Sequence, residues 1–195
     1  MDFSHHTIER HLWLSSFCTV EDIVYGAFGP KKNLKSHSID NHFQQLDGAY
    51  PNALQQAVNA LQPHWLKLQT AFFTDFEDLF STIQGIIGSI DGIGLLAIYD
   101  ISLRIGYNHV PKVLPSKYVY THAQGPVAKS ASILLPTTSL ASGKVDASLF
   151  SSIIPFYSAM EIEDILCIYN KCIMEEGTFD MKWLQEDTIP SLIYK

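Results

Sequence analysis

A chain of 195 residues that is 47% hydrophobic and 17% charged can bury a sizeable core, which excludes an intrinsically disordered chain and favours one compact domain over 1–195. Three cysteines, Cys18, Cys167 and Cys172, contain no C-x-x-C pair, so neither a disulfide framework nor a zinc ribbon is expected, and a reducing compartment, the cytoplasm, fits best. The net charge of −7 speaks against a generally polyanion-binding surface, and no apolar stretch is long enough to span a bilayer or to act as a leader.

In chain order the pattern is mainly α-helical. Ile8, Leu12 and Trp13 have helical spacing over 4–14, and Thr19 with Asp22 and Ile23 reads as the start of a short helix. Gly29-Pro30-Lys31-Lys32-Asn33 and the polar stretch to Asp47 read as a loop. Helical signals resume after Pro51, with Leu54, Val58 and Leu61 on one face. Pro63 restarts the chain into a segment burying Trp65, Leu68, Phe72 and Phe73. Thr74 with Glu77 then has the spacing of a capping box for a helix that buries Phe76, Leu79, Phe80 and Ile83.

That helix leads into Ile90-Asp91-Gly92-Ile93-Gly94-Leu95-Leu96, a Gly-x-Gly turn between two apolar helical patterns, which reads as a helix-hairpin-helix over about 83–106. Gly92 and Gly94 let the backbone turn where side chains would clash, and Ile93 plugs the gap between the helices. The second helix starts with free amides at the positive end of its dipole, a natural grip for a phosphate. Inside it, Asp100 and Arg104 are spaced to pair at i, i+4.

Charge along the chain is uneven. Ile101 to Lys144 contains no Asp or Glu, while Arg104, Lys112, Lys117, Lys129 and Lys144 are cationic. From Val145 onward nine acids face three lysines. A basic middle directly after the hairpin suits phosphate contact, because counterion release follows local contacts rather than total charge.

Beyond the hairpin, Gly106 ends the second helix, and a loop with Pro111 and Pro115 leads to a short extended segment, Tyr118-Val119-Tyr120. Alternation then places Tyr118, Tyr120 and His122 on one face, where aromatic rings near Lys129 can stack on a base or hold a phosphate. They can equally be half-buried rings with backbone partners. A short helix is expected from about Pro126, an irregular loop over about 132–145, a short helix over 147–153, and a long one from Ala159 to Met174 capped by Ser158, with Glu161 in its first turn. His5, His6 and His11 lie close in sequence, but the spacing of His6 and His11 does not align them on one helix face. No metal or other cofactor is expected.

Gly92-Ile93-Gly94, the following helix and Val119-Tyr120-Thr121-His122 together resemble the core of the helix-hairpin-helix DNA glycosylases of the endonuclease III type, in which the hairpin is followed by Val-Asp-x-His. The resemblance covers about residues 87–122. It implies DNA binding by Gly92, Ile93 and Gly94, which we extend to Arg104, Lys112, Lys117, Tyr120, His122 and Lys129. It also implies that the family's chemistry is missing. The catalytic lysine position is Leu96, which offers no amine for a Schiff base, and the essential aspartate position is Tyr120, a phenol with a pKa of about 10 that cannot offset an oxocarbenium-like charge at neutral pH.

The expectation is therefore a compact multi-helix domain that binds DNA phosphates without sequence preference and without catalysis. Two alternatives stay open. One is a protein-interaction module in which the hairpin only packs, with Leu95 and Leu96 buried and the acidic C-terminal region engaging a protein partner. The other is a divergent glycosylase-like nucleic-acid enzyme using Asp100, Tyr120 or His122.

Overall fold

The computed structural model describes residues 19–28, 52–122 and 125–176. The helix expected over 4–14, the three N-terminal histidines, the loop from Gly29 to Asp47 and the chain end lie outside these residues. The described chain is mainly helical, and no described helix is long and apolar enough to cross a membrane. The backbone divides into two compact units, one up to Leu114 and one from Pro115 onward, each described by itself.

In the N-terminal unit, helix α1 (Val20–Phe28) opens with the expected Thr19 and Asp22. The Asp22 amide donates to Thr19 Oγ1 and the Thr19 amide to Asp22 Oδ2, each at 3.1 Å, so two otherwise orphaned amides are satisfied reciprocally. Helix α2 (Ala53–Leu61) buries Leu54, Val58 and Leu61 as its spacing predicts. Pro63 sits in a 3-10 turn over Gln62–His64 that leads into α3 (Trp65–Thr70). Leu68 and Phe73 turn inward, but Phe72, expected in the core, is 87% exposed, because the chain leaves the helix after Thr70 and the helical period no longer holds.

Helix α4 (Phe76–Ile87) is capped by Asp75 rather than Thr74: Asp75 Oδ1 accepts from the Asp78 amide at 3.0 Å. Asp78 Oδ2 in turn accepts from the Thr74 amide at 3.1 Å. Aspartate, as good a cap as threonine and charged toward the helix dipole, moves the start one residue on. Helix α5 (Leu95–Tyr107) packs on both α4 and α1, and every residue from Ala97 to Gly106 is buried. It has no solvent face.

In the C-terminal unit, the expected extended segment is strand β1 (Tyr118–Tyr120), antiparallel to β2 (Lys144–Asp146) with Tyr118 opposite Asp146, Val119 opposite Val145 and Tyr120 opposite Lys144. The ribbon runs one residue further, the Ala147 amide donating to the Lys117 carbonyl at 2.9 Å. Helix α6 (Pro126–Leu134) packs on α7 (Ala159–Glu176). Val119, Val145, Val127, Ala131, Phe150, Ile162, Ile165 and Leu166 share one core, within which Ser130 Oγ donates to the Leu166 carbonyl at 2.8 Å. The irregular loop expected over 132–145 is shorter, since α6 reaches Leu134 and β2 takes its far end. The helix expected over 147–153 is a 3-10 turn, Ala147–Phe150, capped by Asp146. Helix α7 starts as expected: Ser158 Oγ accepts from the Glu161 amide at 3.3 Å while Glu161 Oε2 accepts from the Ser158 amide at 2.7 Å.

Two features of α5 govern the N-terminal unit. Arg104 is only 1% exposed, and its guanidinium donates to the Asp22 carbonyl at 3.1 Å. Burial pulls its pKa down to about 10, against the opposing charges of Asp100 and Asp22, so it stays cationic at neutral pH. Gly106 lies under the returning loop: a Cβ there would stand 2.0 Å from the Val113 carbonyl oxygen, and the Val113 amide donates to the Gly106 carbonyl at 2.9 Å.

Two outcomes are expected in urea unfolding followed by circular dichroism. Arg104→Met strands the buried Asp100 charge and should cost about 3–5 kcal/mol, with Arg104→Met/Asp100→Leu recovering part of the loss. Gly106→Ala should cost about 1–3 kcal/mol, because a backbone carbonyl must move.

Candidate functional site

The segment linking α4 to α5 folds as a tight turn. The Ile93 amide donates to the Ile90 carbonyl at 3.0 Å, and Gly92, third of the four residues, has φ 91°. That is the backbone a type II turn requires at this position, and one a side chain would strain. Ile93 is 5% exposed, so its side chain is buried.

Gly94 differs from its expected role. It caps α5 in an extended conformation (φ −86°, ψ 178°) with no side-chain capping bond, and a Cβ there would meet nothing within 4 Å. The chain itself does not require glycine at this position. What the bare position does provide is close approach from outside to the first amides of a 13-residue helix, at its positive end. Of the leucines expected to be buried, Leu95 is 41% exposed and Leu96 half-buried, because the first turn of α5 still projects beyond the helices that cover the rest.

Of the other candidate residues in the same unit, neither Arg104 nor Lys112 lies at this turn. Arg104 is enclosed in the core of its unit, so it leaves the set of phosphate contacts: a guanidinium bonded to the Asp22 carbonyl with 1% exposure presents no surface to a ligand. Lys112 is exposed beyond the opposite end of α5, its Nζ 3.5 Å from the centre of the Tyr107 ring, and α5 is about 20 Å long at 1.5 Å per residue. Lys117, Tyr120, His122 and Lys129 belong to the C-terminal unit.

There Tyr120 is 4% exposed, so it too drops out of the expected stacking surface. His122 is half-buried, has φ 50° and lies 6.3 Å from the Tyr120 ring; its amide and that of Thr121 share the Gly143 carbonyl at 3.1 and 2.8 Å. Lys129 is exposed on α6. Tyr118 is half-buried, with Lys117 Nζ 5.0 Å and Lys144 Nζ 4.5 Å from its ring centre.

Sequence reasoning counted Lys144 only within the basic middle and missed Asp146 and Phe156 as contact residues. The first two sit in a strand of three residues, too short to show a period. Phe156 is 91% exposed with φ 73°, and only the Pro155 before it hinted at an irregular backbone. No group of three His, Cys, Asp or Glu that could hold a metal occurs among the described residues.

Compared with known proteins, the chain matches no family model, and neither a curated protein nor a solved structure proves similar to it. The reading of the site therefore rests on its own geometry.

The two glycines should separate on substitution. Gly92→Ala should lower stability by about 1 kcal/mol or more, since its positive φ excludes a side chain at low cost, whereas Gly94→Ala should leave urea midpoints unchanged within error.

Proposed function

We propose that the turn from Asp91 to Leu95 works as a helix-hairpin-helix phosphate contact, through which the protein binds DNA without sequence preference and without catalysis. The observation that carries this reading is Gly94: a bare, exposed cap on a long helix that its own chain would allow to be any residue. A phosphate oxygen set against the first amides of α5 would complete the cap that no side chain supplies. Catalysis of the glycosylase type has no support at the corresponding positions, Leu96 and Tyr120, which offer neither an amine nor a carboxylate.

The distribution of cations shapes the affinity. Arg104 is internal and Lys112 lies beyond the far end of α5, so neither of these two supplies a cation beside the turn. A slope of about −0.9 in log K against log salt is expected for each phosphate neutralised on duplex DNA, and a total of about −1 to −2 would fit this site.

Exposed Leu95 favours a second reading, in which the same turn meets an apolar patch on a protein partner. The acidic C-terminal region and a cytoplasmic location belong to that picture equally well.

Fluorescence anisotropy with labelled duplex and single-stranded oligonucleotides in about 20 to 200 mM salt, over which the Debye length falls from roughly 20 Å to roughly 7 Å, tests the proposal. Gly94→Asp places a favoured cap residue on α5 and a negative charge where the phosphate would sit. It should keep or raise the melting temperature while weakening duplex binding at least tenfold. Unchanged binding in this variant would remove the hairpin from any role in DNA contact, and Leu95→Lys, which should strengthen DNA binding, would then be expected to impair only protein association.

A further inference from the structure

The C-terminal unit contains a cleft that no part of the DNA reading uses. It has a volume of about 340 Å³, the size at which sites for small molecules begin. Its floor is apolar, made by Ile154 and Ile162 at 1% and 2% exposure. Phe156 and Tyr157 contribute two rings from the loop that enters α7, while Lys117, just before β1, and Asp146, the last residue of β2, bring one charge of each sign.

Phe156 is the unusual element. A phenylalanine that is 91% exposed gains nothing from burial, and φ 73° places a bulky residue in the left-handed region, a conformation that persists only where its surroundings enforce it. Anchors on both sides do so. Before it, the Ile153 and Ile154 amides both donate to the Phe150 carbonyl, at 2.9 and 2.7 Å; after it, Ser158 and Glu161 lock the start of α7. The loop between them holds an apolar ring at the edge of the cleft.

The polar wall is rich in acceptors. Hydrogen bonds from the Ser148 side chain and then its amide, the latter at 2.9 Å to Oδ1, hold the Asp146 carboxyl below its ordinary range, and the charge of Lys117 adds to them. Asp146 is therefore ionised at neutral pH, and of the roughly four acceptor positions of a carboxylate those two bonds leave about half open. Ser151, also in the lining, donates its hydroxyl to the Ser148 carbonyl at 2.7 Å, so it offers a ligand lone pairs alone. Burial and then the Glu161 carboxylate push the Tyr157 phenol up, so it stays a hydroxyl that donates and accepts. Lys117 is engaged with Asp146 and, at 5.0 Å, with the Tyr118 ring. The two charges of the lining thus balance each other.

We propose that this cleft binds a neutral sugar, a pyranose whose apolar C–H face lies on the Phe156 ring while neighbouring hydroxyls donate to Asp146 and Ser151 and accept from Lys117 and Tyr157. The balanced charges select a neutral ligand, because a phosphate or an ammonium group would compete with Asp146 or Lys117 for a partner that is already taken. The acceptor-rich wall selects a ligand with several O–H donors. Each such donor makes a charge-assisted bond on a carboxylate, and the same hydroxyl can accept from an ammonium group. The protruding ring, fixed by its loop, selects a flat apolar face. An aromatic ligand would use the ring but supply few donors to the wall, and an aliphatic one would desolvate the carboxylate without bonding it. A pyranose joins a flat C–H face to a rim of hydroxyls. The inference is independent of the DNA reading and stands on a different unit of the chain from the hairpin.

The test uses the full chain in saturation-transfer difference NMR with the methyl glycosides of glucose, galactose, mannose and N-acetylglucosamine, and in isothermal titration with the corresponding disaccharides. Millimolar binding of at least one sugar is expected, with saturation strongest on the C–H protons of one pyranose face. Phe156→Gly relieves the backbone strain, so its melting temperature should hold or rise while affinity falls about tenfold. Asp146→Asn keeps an oxygen for the Ser148 amide and should weaken binding about three- to tenfold, since the charge assistance is lost. For a neutral ligand the affinity should be the same from about 20 to 200 mM salt. The assignment is overturned by absence of sugar binding at tens of millimolar, by unchanged affinity in Phe156→Gly, by affinity that falls steeply with salt, or by preference for nucleosides, amines or aromatic dipeptides over sugars. Gly94→Asp should leave sugar binding intact whatever it does to duplex binding, so each reading can fail without the other. Loss of sugar binding in that variant would also overturn the cleft assignment.

Discussion

The N-terminal unit is organised around a charge that it cannot release. Arg104 sits on the most enclosed helix of the unit, where desolvation opposes ionisation, yet Asp100 and Asp22 keep it cationic and the Asp22 carbonyl accepts a hydrogen bond from its guanidinium. An arrangement of this kind adds little net stability compared with an apolar core of the same volume, because desolvating the ions offsets most of their attraction. What it does add is registration. A guanidinium on α5 bonded to the first turn of α1 tolerates little sliding of either helix, and the reciprocal Thr19 and Asp22 cap fixes the same turn from the other side. The exposed start of α5 is thereby held on a helix that is clamped along most of its length.

This arrangement also explains why a basic stretch of sequence does not amount to a basic surface. The run from Ile101 to Lys144 holds five cations and no acid, but one of them neutralises carboxylates in a core, one lies over the Tyr107 ring, and two lie against Tyr118 in the other unit. Among the described cations, Lys117 and Lys144 are brought to one ring, Tyr118. Lys117 and Lys144 are far apart in sequence and meet only because β1 pairs with β2. Asp146, from the same strand as Lys144, lies within electrostatic reach of Lys117.

How much could be read without coordinates depended on whether the determinant was local. Thr19 with Asp22 and Ser158 with Glu161 form caps whose partners are three residues apart, and both helix starts follow directly from those residues. The Tyr118-Val119-Tyr120 strand and the turn at Gly92 were legible for the same reason. Asp75 displaced Thr74 because two adjacent residues can each cap, and sequence alone does not rank them. The strand at Lys144 was hidden, since three residues in a Ser- and Gly-rich stretch show no alternation and its definition lies in a partner over twenty positions away. Arg104 was misplaced for a different reason. Arginine is ordinarily exposed, and the apolar face of α5 gave no warning that its polar face would be covered as well; Asp100 was legible as its partner, but Asp22, whose charge and carbonyl also support that burial, is distant in sequence. Phe156 was invisible because a positive φ on a phenylalanine leaves no compositional trace.

The contact between Gly106 and Val113 has a bearing on ancestry. Most glycines are tolerant markers, since a turn can often be rebuilt with asparagine or with a shifted backbone, and Gly94 has open space around it. Position 106 is of another kind: with a carbonyl oxygen 2.0 Å from where a Cβ would stand, no other amino acid can enter unless the chain that follows the helix is rerouted. Sequences that have drifted beyond ordinary similarity but keep this unit should therefore agree at that glycine more reliably than at the Gly-x-Gly turn, which makes it the better fiducial point for aligning distant kin.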